Sequence, residues 1–256
     1  MNEDRSVYIA SKPSNGAWHP LGQLTFKEGV YTFAYLKGIH NQIGQVNPLP
    51  GMQELDQVYQ SEHLFPFFEN RLLSKKRKEY KDFLAWSGFS EGNVAPPPLA
   101  ILGITEGKKV TDSYEVFPCP RQNNKDGMYE FQFFLHGLNH IPATSQEVAL
   151  NLEQGNRLFL MADLQNAYNP AAMTLRTENS HLIGYLPNYL ANEAYRLLKT
   201  CDPQSTYCTV SRVNLDAPMS FAVLCKLKAC WSNGSSPFSD EAFQPISALA
   251  PKSGSN

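Results

Sequence analysis

The sequence predicts a β-rich α+β fold made of two parts, and two observations support this class. Apolar residues alternate with other residues over short runs: in residues 30–36, Tyr31, Phe33 and Tyr35 are each separated by one small residue. A period of two is typical of a strand with one buried face. Residues 120–127 are polar and turn-forming, and they divide a chain of 256 residues, which is long enough for two ordinary domains.

The predicted elements follow from the apolar runs and from the residues that interrupt them. Three consecutive prolines, Pro96 to Pro98, exclude a helix interior and predict a stiff connector. In the first part we predict strands at residues 7–10, 21–26, 30–36, 99–105 and 113–118, and a helix at residues 74–86. In the second part we predict strands at residues 129–135, 157–162, 172–176, 181–186 and 220–229, and a helix at residues 187–198. The expected boundaries are 1–120 for the first domain, 128–232 for the second, and 233–256 for a disordered tail rich in Ser, Pro, Gly and Asn.

Composition narrows the class of protein. The formal net charge is −2, which excludes a strongly basic nucleic-acid-binding chain and makes any nucleic-acid contact local. No apolar run reaches the roughly 18 residues of a membrane-spanning helix, and the polar, acidic start is unlike a secretory leader. The five cysteines include no tight CxxC pair. They therefore predict reduced thiols in a cytoplasmic protein without a zinc site.

Motifs of the common enzyme classes are missing from the sequence. It contains no P-loop, no GxGxxG or GxSxG turn, no HExxH helix and no kinase catalytic loop. His136 and His140 are four residues apart, but no glutamate lies between them, and a core or hydrogen-bonded role is the simpler interpretation. We therefore predict a binding module with no catalytic activity, no cofactor and no metal.

A group of motifs in the second part carries a family resemblance. It consists of a strand that ends at Gly137, a loop at residues 163–173 (Asp-Leu-Gln-Asn-Ala-Tyr-Asn-Pro-Ala-Ala-Met), and a turn at residues 184–187 (Gly-Tyr-Leu-Pro) before a helix. Their order and spacing resemble the HIRAN domain over residues 128–232. The resemblance implies a small β-barrel with one or two helices.

The same resemblance implies a binding site, because HIRAN domains of fork-remodelling DNA enzymes capture the 3′ end of single-stranded DNA. By position, Tyr168 would be the stacking surface for a base, and Asn166 and Asn169 would be polar contacts to the end of the strand. Tyr185 would line the same pocket. An aromatic face that stacks on a base contributes about 1–3 kcal/mol.

The sequence departs from the DNA-capturing pattern in three ways. Asn169 replaces the family's aspartate, and Asn139 and His140, which are further candidate DNA contacts, stand where those members carry an arginine and an aromatic residue. Residues 128–232 contain seven basic and eight acidic residues, which predicts no basic groove. A loop that only holds the fold together is therefore an equal alternative to DNA-end binding.

The first part carries a second resemblance. Residues 21–24 (Leu-Gly-Gln-Leu), 31–36 (Tyr-Thr-Phe-Ala-Tyr-Leu) and 64–73 (Leu-Phe-Pro-Phe-Phe-Glu-Asn-Arg-Leu-Leu) resemble the N-terminal subdomain of HipA-type kinases, over roughly residues 5–90. The resemblance implies a β-sheet with helices and does not include the kinase part. It is closest to split HipA systems, in which this subdomain is a separate protein that docks on a kinase toxin and restrains it.

This second resemblance implies a surface for a protein partner, with aromatic and cationic contacts. Trp86 is the expected anchor, because tryptophan is enriched at binding hot spots. Two lysines in the first turn of the predicted helix oppose its dipole and suit an acidic or phosphorylated partner, although a solvated face is the simpler alternative. The candidate partner-binding residues are Trp86, Phe67, Phe68, Arg71, Lys75 and Lys76.

Both resemblances together predict a bacterial antitoxin-like regulator that binds and restrains a HipA-like Ser/Thr kinase toxin. A helix-turn-helix DNA-binding protein is a further partner expected in such a system, single-stranded DNA is an expected ligand of the HIRAN domain, and no membrane contact is expected. The alternative is a stand-alone HIRAN protein that binds 3′ ends of single-stranded DNA in DNA repair or processing. A third hypothesis is an enzyme of unrecognised type.

Overall fold

The chain forms two compact units whose boundaries differ from those expected. The computed structural model describes residues 5–11, 18–42, 47–89, 96–123, 126–230 and 236–247. The first unit contains the described residues up to Leu73, those of Pro96–Cys119 and those from Phe238 onward. The second contains the described residues of Ser74–Ala95 and Pro120–Pro237. The predicted first domain, residues 1–120, is corrected accordingly, because part of it belongs to the second unit.

The β-rich α+β class predicted from the sequence is confirmed by the order of the elements. Among the described residues, no helix is both long and apolar enough to cross a membrane. The strands are β1 (Arg5–Ser11), β2 (His19–Lys27), β3 (Val30–Tyr35), β4 (Tyr59–Ser61), β5 (Tyr114–Pro118), β6 (Arg121–Gln122), β7 (Tyr129–Phe134), β8 (Arg157–Ala162), β9 (Met173–Arg176), β10 (Leu182–Tyr185), β11 (Thr206–Val213) and β12 (Val223–Ala229). The α-helices are α1 (Pro66–Glu69), α2 (Tyr80–Trp86), α3 (Pro98–Thr105), α4 (Ala143–Leu150) and α5 (Asn188–Thr200).

The first unit is built on an antiparallel sheet with the strand order β4-β3-β2-β1-β5. The β2–β3 hairpin turns at Glu28 and Gly29, whose φ angles of 52° and 87° suit a two-residue turn between strands. Gly22 of β2 lies against Phe33 of β3, and a Cβ atom at this glycine would be 2.4 Å from the ring. The inner side chains of the sheet share one apolar core with α1 and α3.

The strand predicted at residues 99–105 is wrong, because these residues form α3. Pro98 lies in the first turn of the helix, where the missing N–H of a proline removes no intrahelical hydrogen bond. Leu99 and Leu102 point into the core, and Thr105 Oγ1 donates a hydrogen bond to Ile101 O at 2.8 Å. A short run of apolar residues does not by itself distinguish a buried strand from a buried helix.

Part of the tail that we predicted to be disordered is ordered and belongs to the first unit. Phe238 and Phe243 are buried with ring centroids 4.9 Å apart, and both pack against Tyr8 of β1. Ile246 N donates a hydrogen bond to Tyr35 O at 2.9 Å. These contacts correct the prediction for residues 236–247, and the rest of the predicted tail lies outside the described residues.

The buried hydroxyl of Tyr35 makes the stability of the first unit dependent on alkaline pH. Burial raises the pKa of Tyr35 to about 12, although Leu49 N donates a hydrogen bond to its oxygen and opposes the shift. Stability from this group is complete below pH 10 and is lost as the pH rises toward about 12. The free energy of unfolding then falls by up to about 1.4 kcal/mol per pH unit, because between pH 10 and 12 the Tyr35 hydroxyl ionises in the unfolded chain and not in the folded one.

We expect Tyr35→Phe to be less stable than the wild type at pH 8. Its free energy of unfolding should also lack this part of the pH dependence in denaturant titrations from pH 8 to 12. Equal slopes for the two proteins would contradict the assignment.

The second unit is an antiparallel sheet with the strand order β10-β9-β8-β11-β12-β7-β6. A backbone bridge joins the end of β7 to β10: His136 N donates to Tyr185 O at 3.0 Å, and Tyr185 N donates to His136 O at 2.9 Å. This pair of hydrogen bonds brings the two ends of the strand series together. The sheet therefore curls into a half-barrel, in agreement with the barrel predicted for this region.

The strand register determines which side chains fill the interior of the half-barrel. Phe131 lies opposite Leu227, and Leu158 lies opposite Cys208, and all four side chains are buried. Because successive side chains of a strand point to opposite faces, the residues between them face outward.

Four elements of the second unit differ from the sequence predictions, one of them β6, which lies in the predicted boundary segment 120–127. β11, which joins β8 to β12, and α4 were not predicted. The predicted helix at residues 74–86 is shorter, since α2 spans only Tyr80–Trp86. It is placed in the second unit, where Phe83 packs edge-on against Phe221 with ring centroids 5.7 Å apart. The remaining predicted strands of this unit agree with the structure to within a few residues.

Candidate functional site

The loop between β8 and β9 is fixed from within by the side chain of Asn166. Its Oδ1 accepts hydrogen bonds from the backbone N–H groups of Tyr168 and Asn169, both at 3.0 Å. Its Nδ2 donates to Asp163 Oδ2 at 3.0 Å. An asparagine side chain that bonds the backbone two and three residues further along stabilises a tight turn. Asn166, predicted as a DNA contact, therefore has a structural role in which both its amide oxygen and its nitrogen take part.

Asn169 fixes the other side of the same loop. Its Oδ1 accepts a hydrogen bond from Ala171 N at 2.9 Å, and its Nδ2 donates to Asn188 Oδ1 in the first turn of α5 at 3.1 Å. The amide nitrogen supplies the donor of this hydrogen bond, which a carboxylate at this position does not have. The replacement of the family's aspartate by Asn169 thus has a local explanation, and this side chain also holds the loop.

The ring of Tyr168 stands out from this fixed loop. It is 86% exposed, although its own backbone N–H is bonded to Asn166. Leu164 on the same loop is also largely exposed. The hydrogen bonds of Asn166 hold the backbone from which this ring projects, so the position of its Cα atom is fixed while the ring is open to solvent. An exposed ring can stack on a planar ligand, and binding then requires little further ordering of the loop backbone.

Asp163, which begins the loop, is joined to Tyr185 of β10. The Tyr185 hydroxyl donates a hydrogen bond to Asp163 Oδ2 at 3.2 Å. Desolvation first, and the nearby Asp163 carboxylate second, raise the pKa of Tyr185, which favours the protonated hydroxyl that donates this hydrogen bond. Asp163 was not among the residues predicted for the site. The signal that could have identified it is its position three residues before Asn166, where one carboxylate can accept from both Asn166 and Tyr185.

Asn139 and His140 lie on a short turn that begins beside Tyr185. Gly137, with φ +73°, precedes a 3-10 turn at Leu138–His140, and a Cβ at this glycine would be 2.9 Å from the Tyr185 ring. Both side chains are exposed. The turn starts at the residue that contacts Tyr185, so the predicted set of loop, tyrosine and turn is brought to one region of the half-barrel.

Comparison with protein families identifies this region. The family model of the HIRAN domain matches residues 128–228. Residues 128–228 therefore contain a HIRAN domain. The match ends four residues before the predicted boundary at residue 232 and leaves the first unit outside it. The HIRAN resemblance inferred from the loop and turn motifs is thus confirmed for this part of the chain.

Two solved structures are similar to part of the chain. The crystal structure of the HIRAN domain of human HLTF shares 15% identity and covers 39% of this chain and 73% of that one, with a TM-score of 0.31. The crystal structure of a protein from Lactobacillus plantarum shares 17% identity and covers 40% of this chain and 99% of that one, with a TM-score of 0.28. No curated protein matches the chain.

The residues predicted to bind a protein partner do not form one exposed set. Phe68 and Arg71 are buried in the first unit, which corrects their assignment as contact residues. Phe67, in the same unit, is partly covered by the Arg71 guanidinium, whose Cζ lies 4.3 Å from the ring centroid. Lys75 and Lys76 are exposed and belong to the second unit.

Trp86, the expected anchor, packs against other residues of the second unit, which carries the HIRAN domain. Its ring stacks on Phe221 with an interplanar angle of 18°, and its Nε1 donates a hydrogen bond to Asp216 Oδ1 at 3.2 Å. Asn214 Nδ2 also donates to the Trp86 backbone oxygen at 3.1 Å. These contacts favour the alternative that this side chain packs beneath its own helix.

The cysteines around the HIRAN domain do not form a metal site in the described part of the chain, where no three His, Cys, Asp or Glu residues lie close enough to hold an ion. Cys208 and Cys225 are fully buried inside the half-barrel, and burial raises the pKa of both thiols, that of Cys208 to about 12. Thiols of this kind are inert core residues.

Proposed function

We propose that this protein binds the 3′ end of single-stranded DNA through its HIRAN domain, with the Tyr168 ring stacking on the terminal base. The observation that carries the proposal is the exposure of this ring on a loop held by the Asn166 and Asn169 side chains. A structural role explains the two asparagines, but it does not explain a tyrosine that is 86% exposed.

The polar groups beside the ring give the proposed site its chemistry. Asp163 of the loop is bonded to the Tyr185 hydroxyl, and Asn139 and His140 are exposed on the turn that begins beside Tyr185. A 3′-terminal hydroxyl can donate to a carboxylate, whereas a terminal phosphate is repelled by it. The proposal therefore includes a preference for a free 3′ hydroxyl over a 3′ phosphate.

Replacement of Tyr168 by alanine tests the proposal. We expect the variant to bind a short single strand with a free 3′ end about 5- to 150-fold more weakly, which corresponds to the loss of one base stack of about 1–3 kcal/mol. Fluorescence anisotropy with a 5′-labelled oligothymidine measures this change. Tyr168→Phe keeps the ring and should bind like the wild type.

Leu164→Ala is the matched control, because it truncates another exposed apolar side chain of the same loop. It should leave the affinity unchanged. Equal affinity of the wild type for free and 3′-phosphorylated strands would refute end recognition. Equal affinity of Tyr168→Ala and the wild type would refute the stacking role.

The role as an antitoxin-like regulator of a HipA-like kinase is not part of this proposal. It rests on the resemblance of residues 5–90 alone, and the family match leaves that part of the chain out. Of the six residues expected to contact such a partner, Phe68 and Arg71 are buried, and Trp86 is held in an internal contact. No observation on the first unit favours this role over the proposed one.

A further inference from the structure

A second set of side chains on the half-barrel combines positive charge with aromatic rings. On β8, Leu158 points inward, so Arg157 and Phe159 on either side of it face outward. Phe159 lies opposite Arg176 of β9, and Arg157 lies opposite Thr209 of β11. Tyr207, two residues before Thr209, faces the same way. We call the outward residues Arg157, Phe159, Arg176 and Tyr207 the arginine–aromatic face.

The members of this face are stacked on one another. Arg176 Cζ lies 4.7 Å from the centroid of the Phe159 ring. Arg157 Cζ lies 5.2 Å from the Phe159 centroid and 5.4 Å from the Tyr207 centroid. Cation–π contacts of this kind hold a guanidinium in place. Arg157 and Tyr207 are exposed, so a ligand can reach both a fixed cation and a fixed ring.

The charge of the two arginines is not balanced by ion pairs within the described residues, where no carboxylate lies within 4.0 Å of either guanidinium. The two lysines on the same outer side differ in this respect. Lys226 pairs with Glu130 at 3.6 Å, and Lys228 makes a closer pair with the same carboxylate. Arginine forms paired hydrogen bonds with phosphate, so these two arginine side chains suit a phosphate backbone.

This arrangement adds a local cationic surface that the prediction of no basic groove did not consider. The prediction came from a count of charges, seven basic against eight acidic, over residues 128–232. Strand register places four of those basic residues, Arg157, Arg176, Lys226 and Lys228, on the outer face of one sheet, where Glu130 pairs with the two lysines. A balanced count does not exclude a positively charged surface when the register sorts the charges.

The arginine–aromatic face is continuous with the Tyr168 loop. β8 runs from Arg157 to Ala162 and leads directly into the loop, and Met161, exposed at 45%, lies on the same side between them. Six residues of strand span about 20 Å. At the Arg157 end of the face, a cavity of about 340 Å³ is lined by residues that include Thr209, which lies opposite Arg157, and Arg212 and Lys226.

We propose that the arginine–aromatic face binds the nucleotides on the 5′ side of the strand end held by Tyr168. Phe159 and Tyr207 stack on bases, and Arg157 and Arg176 contact phosphates. The inference rests on the proposed function for the direction of the strand, but its own binding surface is separate from the Tyr168 loop. If the face binds these nucleotides, the affinity for DNA increases with the length of the strand. A site that holds only the terminal nucleotide would show no such increase.

A length series tests this extension. Oligothymidines of about 3, 6, 9 and 12 nucleotides bracket the shorter site sizes of single-strand-binding β-barrels. We expect the wild-type affinity to rise at least about tenfold from the shortest to the longest strand. The double variant Arg157→Ala/Arg176→Ala should lose most of this gain and still prefer a free 3′ end. It should also lower the slope of log K against log salt by about 1.4, since each phosphate contact to a single strand contributes about 0.7.

The matched control is Lys75→Ala/Lys76→Ala, which removes the same charge from exposed positions outside the matched region 128–228. Its length dependence and salt slope should equal those of the wild type. Phe159→Leu keeps apolar volume without the aromatic ring and should reduce the affinity for the longest strand. Thermal unfolding of each variant establishes that it is folded.

The outcomes separate this inference from the proposed function. A wild-type affinity that does not change with length, or a double variant with the wild-type gain and slope, overturns the inference while end preference stands. Equal losses in the double variant and the lysine control also overturn it. If the wild type shows no end preference but the length gain disappears only in the double variant, the face binds DNA and the proposed end recognition is wrong.

Discussion

Replacing Gly184 with alanine is expected to lower the free energy of unfolding of the second unit by about 3–5 kcal/mol. Gly184 has φ +145°, a conformation that is strained for any residue with a side chain. A Cβ atom here would lie 2.6 Å from His136 O and 2.8 Å from Leu135 Cγ. His136 O accepts the hydrogen bond from Tyr185 N that joins the end of β7 to β10, so relief of the clash must shift the backbone at this bridge.

The measurement is urea unfolding followed by circular dichroism, with Gly155→Ala as the control. Gly155 also has a positive φ, +91°, but nothing lies within 4 Å of the position that a Cβ atom would take there. The control therefore carries only the backbone cost, about 1–3 kcal/mol. If both variants lose the same stability, the contact at the His136–Tyr185 bridge is not what requires a glycine.

The strands with clear alternation were predicted well from the sequence, because their pattern reflects burial on one face. β3, which alternates clearly, was predicted to within one residue, whereas β8 was predicted with its observed bounds from a continuous apolar run. α3 was predicted as a strand because its run is apolar throughout, and the helix is decided by its packing in the core. Phe238 and Phe243 show a related limit, since two buried rings order a segment whose composition is otherwise typical of disorder.

The candidate site was predictable only where a local motif specifies it. The loop sequence predicted a ligand contact for Tyr168, whose ring is exposed, and the same motif predicted ligand contacts for Asn166 and Asn169, whose amides form hydrogen bonds within the loop and to Asn188. The arginine–aromatic face could not be predicted, because Phe159 and Arg176 meet across two strands. Their contact depends on the register between β8 and β9, which neither strand specifies alone.

Arg71 shows how a charge run in the sequence can hide a buried ion pair. Arg71 begins a basic stretch of the sequence, and Lys75 and Lys76 of that stretch are exposed. The Arg71 side chain, in contrast, is only 2% exposed. Arg71 Nη2 donates to Asp112 Oδ2 at 2.5 Å, and Nη1 donates to Gly107 O at 2.9 Å. The partner Asp112 lies 41 residues further along the chain, so sequence proximity gave no sign of it.

Arg71→Ala is expected to lower the free energy of unfolding of the first unit by about 3–5 kcal/mol, because it leaves the largely covered Asp112 carboxylate and Gly107 O without their donor. It also removes the cation above the Phe67 ring. Denaturant unfolding measures the loss. Arg71→Lys keeps the charge but not the planar pair of donors, and we expect it to recover only part of the stability.

The control for Arg71 is an exposed ion pair of the same unit, Lys37 with Glu241 at 3.2 Å, whose side chains are 45% and 83% exposed. Lys37→Ala should cost less than about 1 kcal/mol, because water and salt screen an exposed pair. The same comparison decides between two roles for Arg71. A side chain reserved for a protein partner could be removed at no more cost than Lys37, whereas a buried pair that holds α1 near the segment before β5 could not. A loss equal to that of Lys37→Ala would make Arg71 a candidate contact residue again.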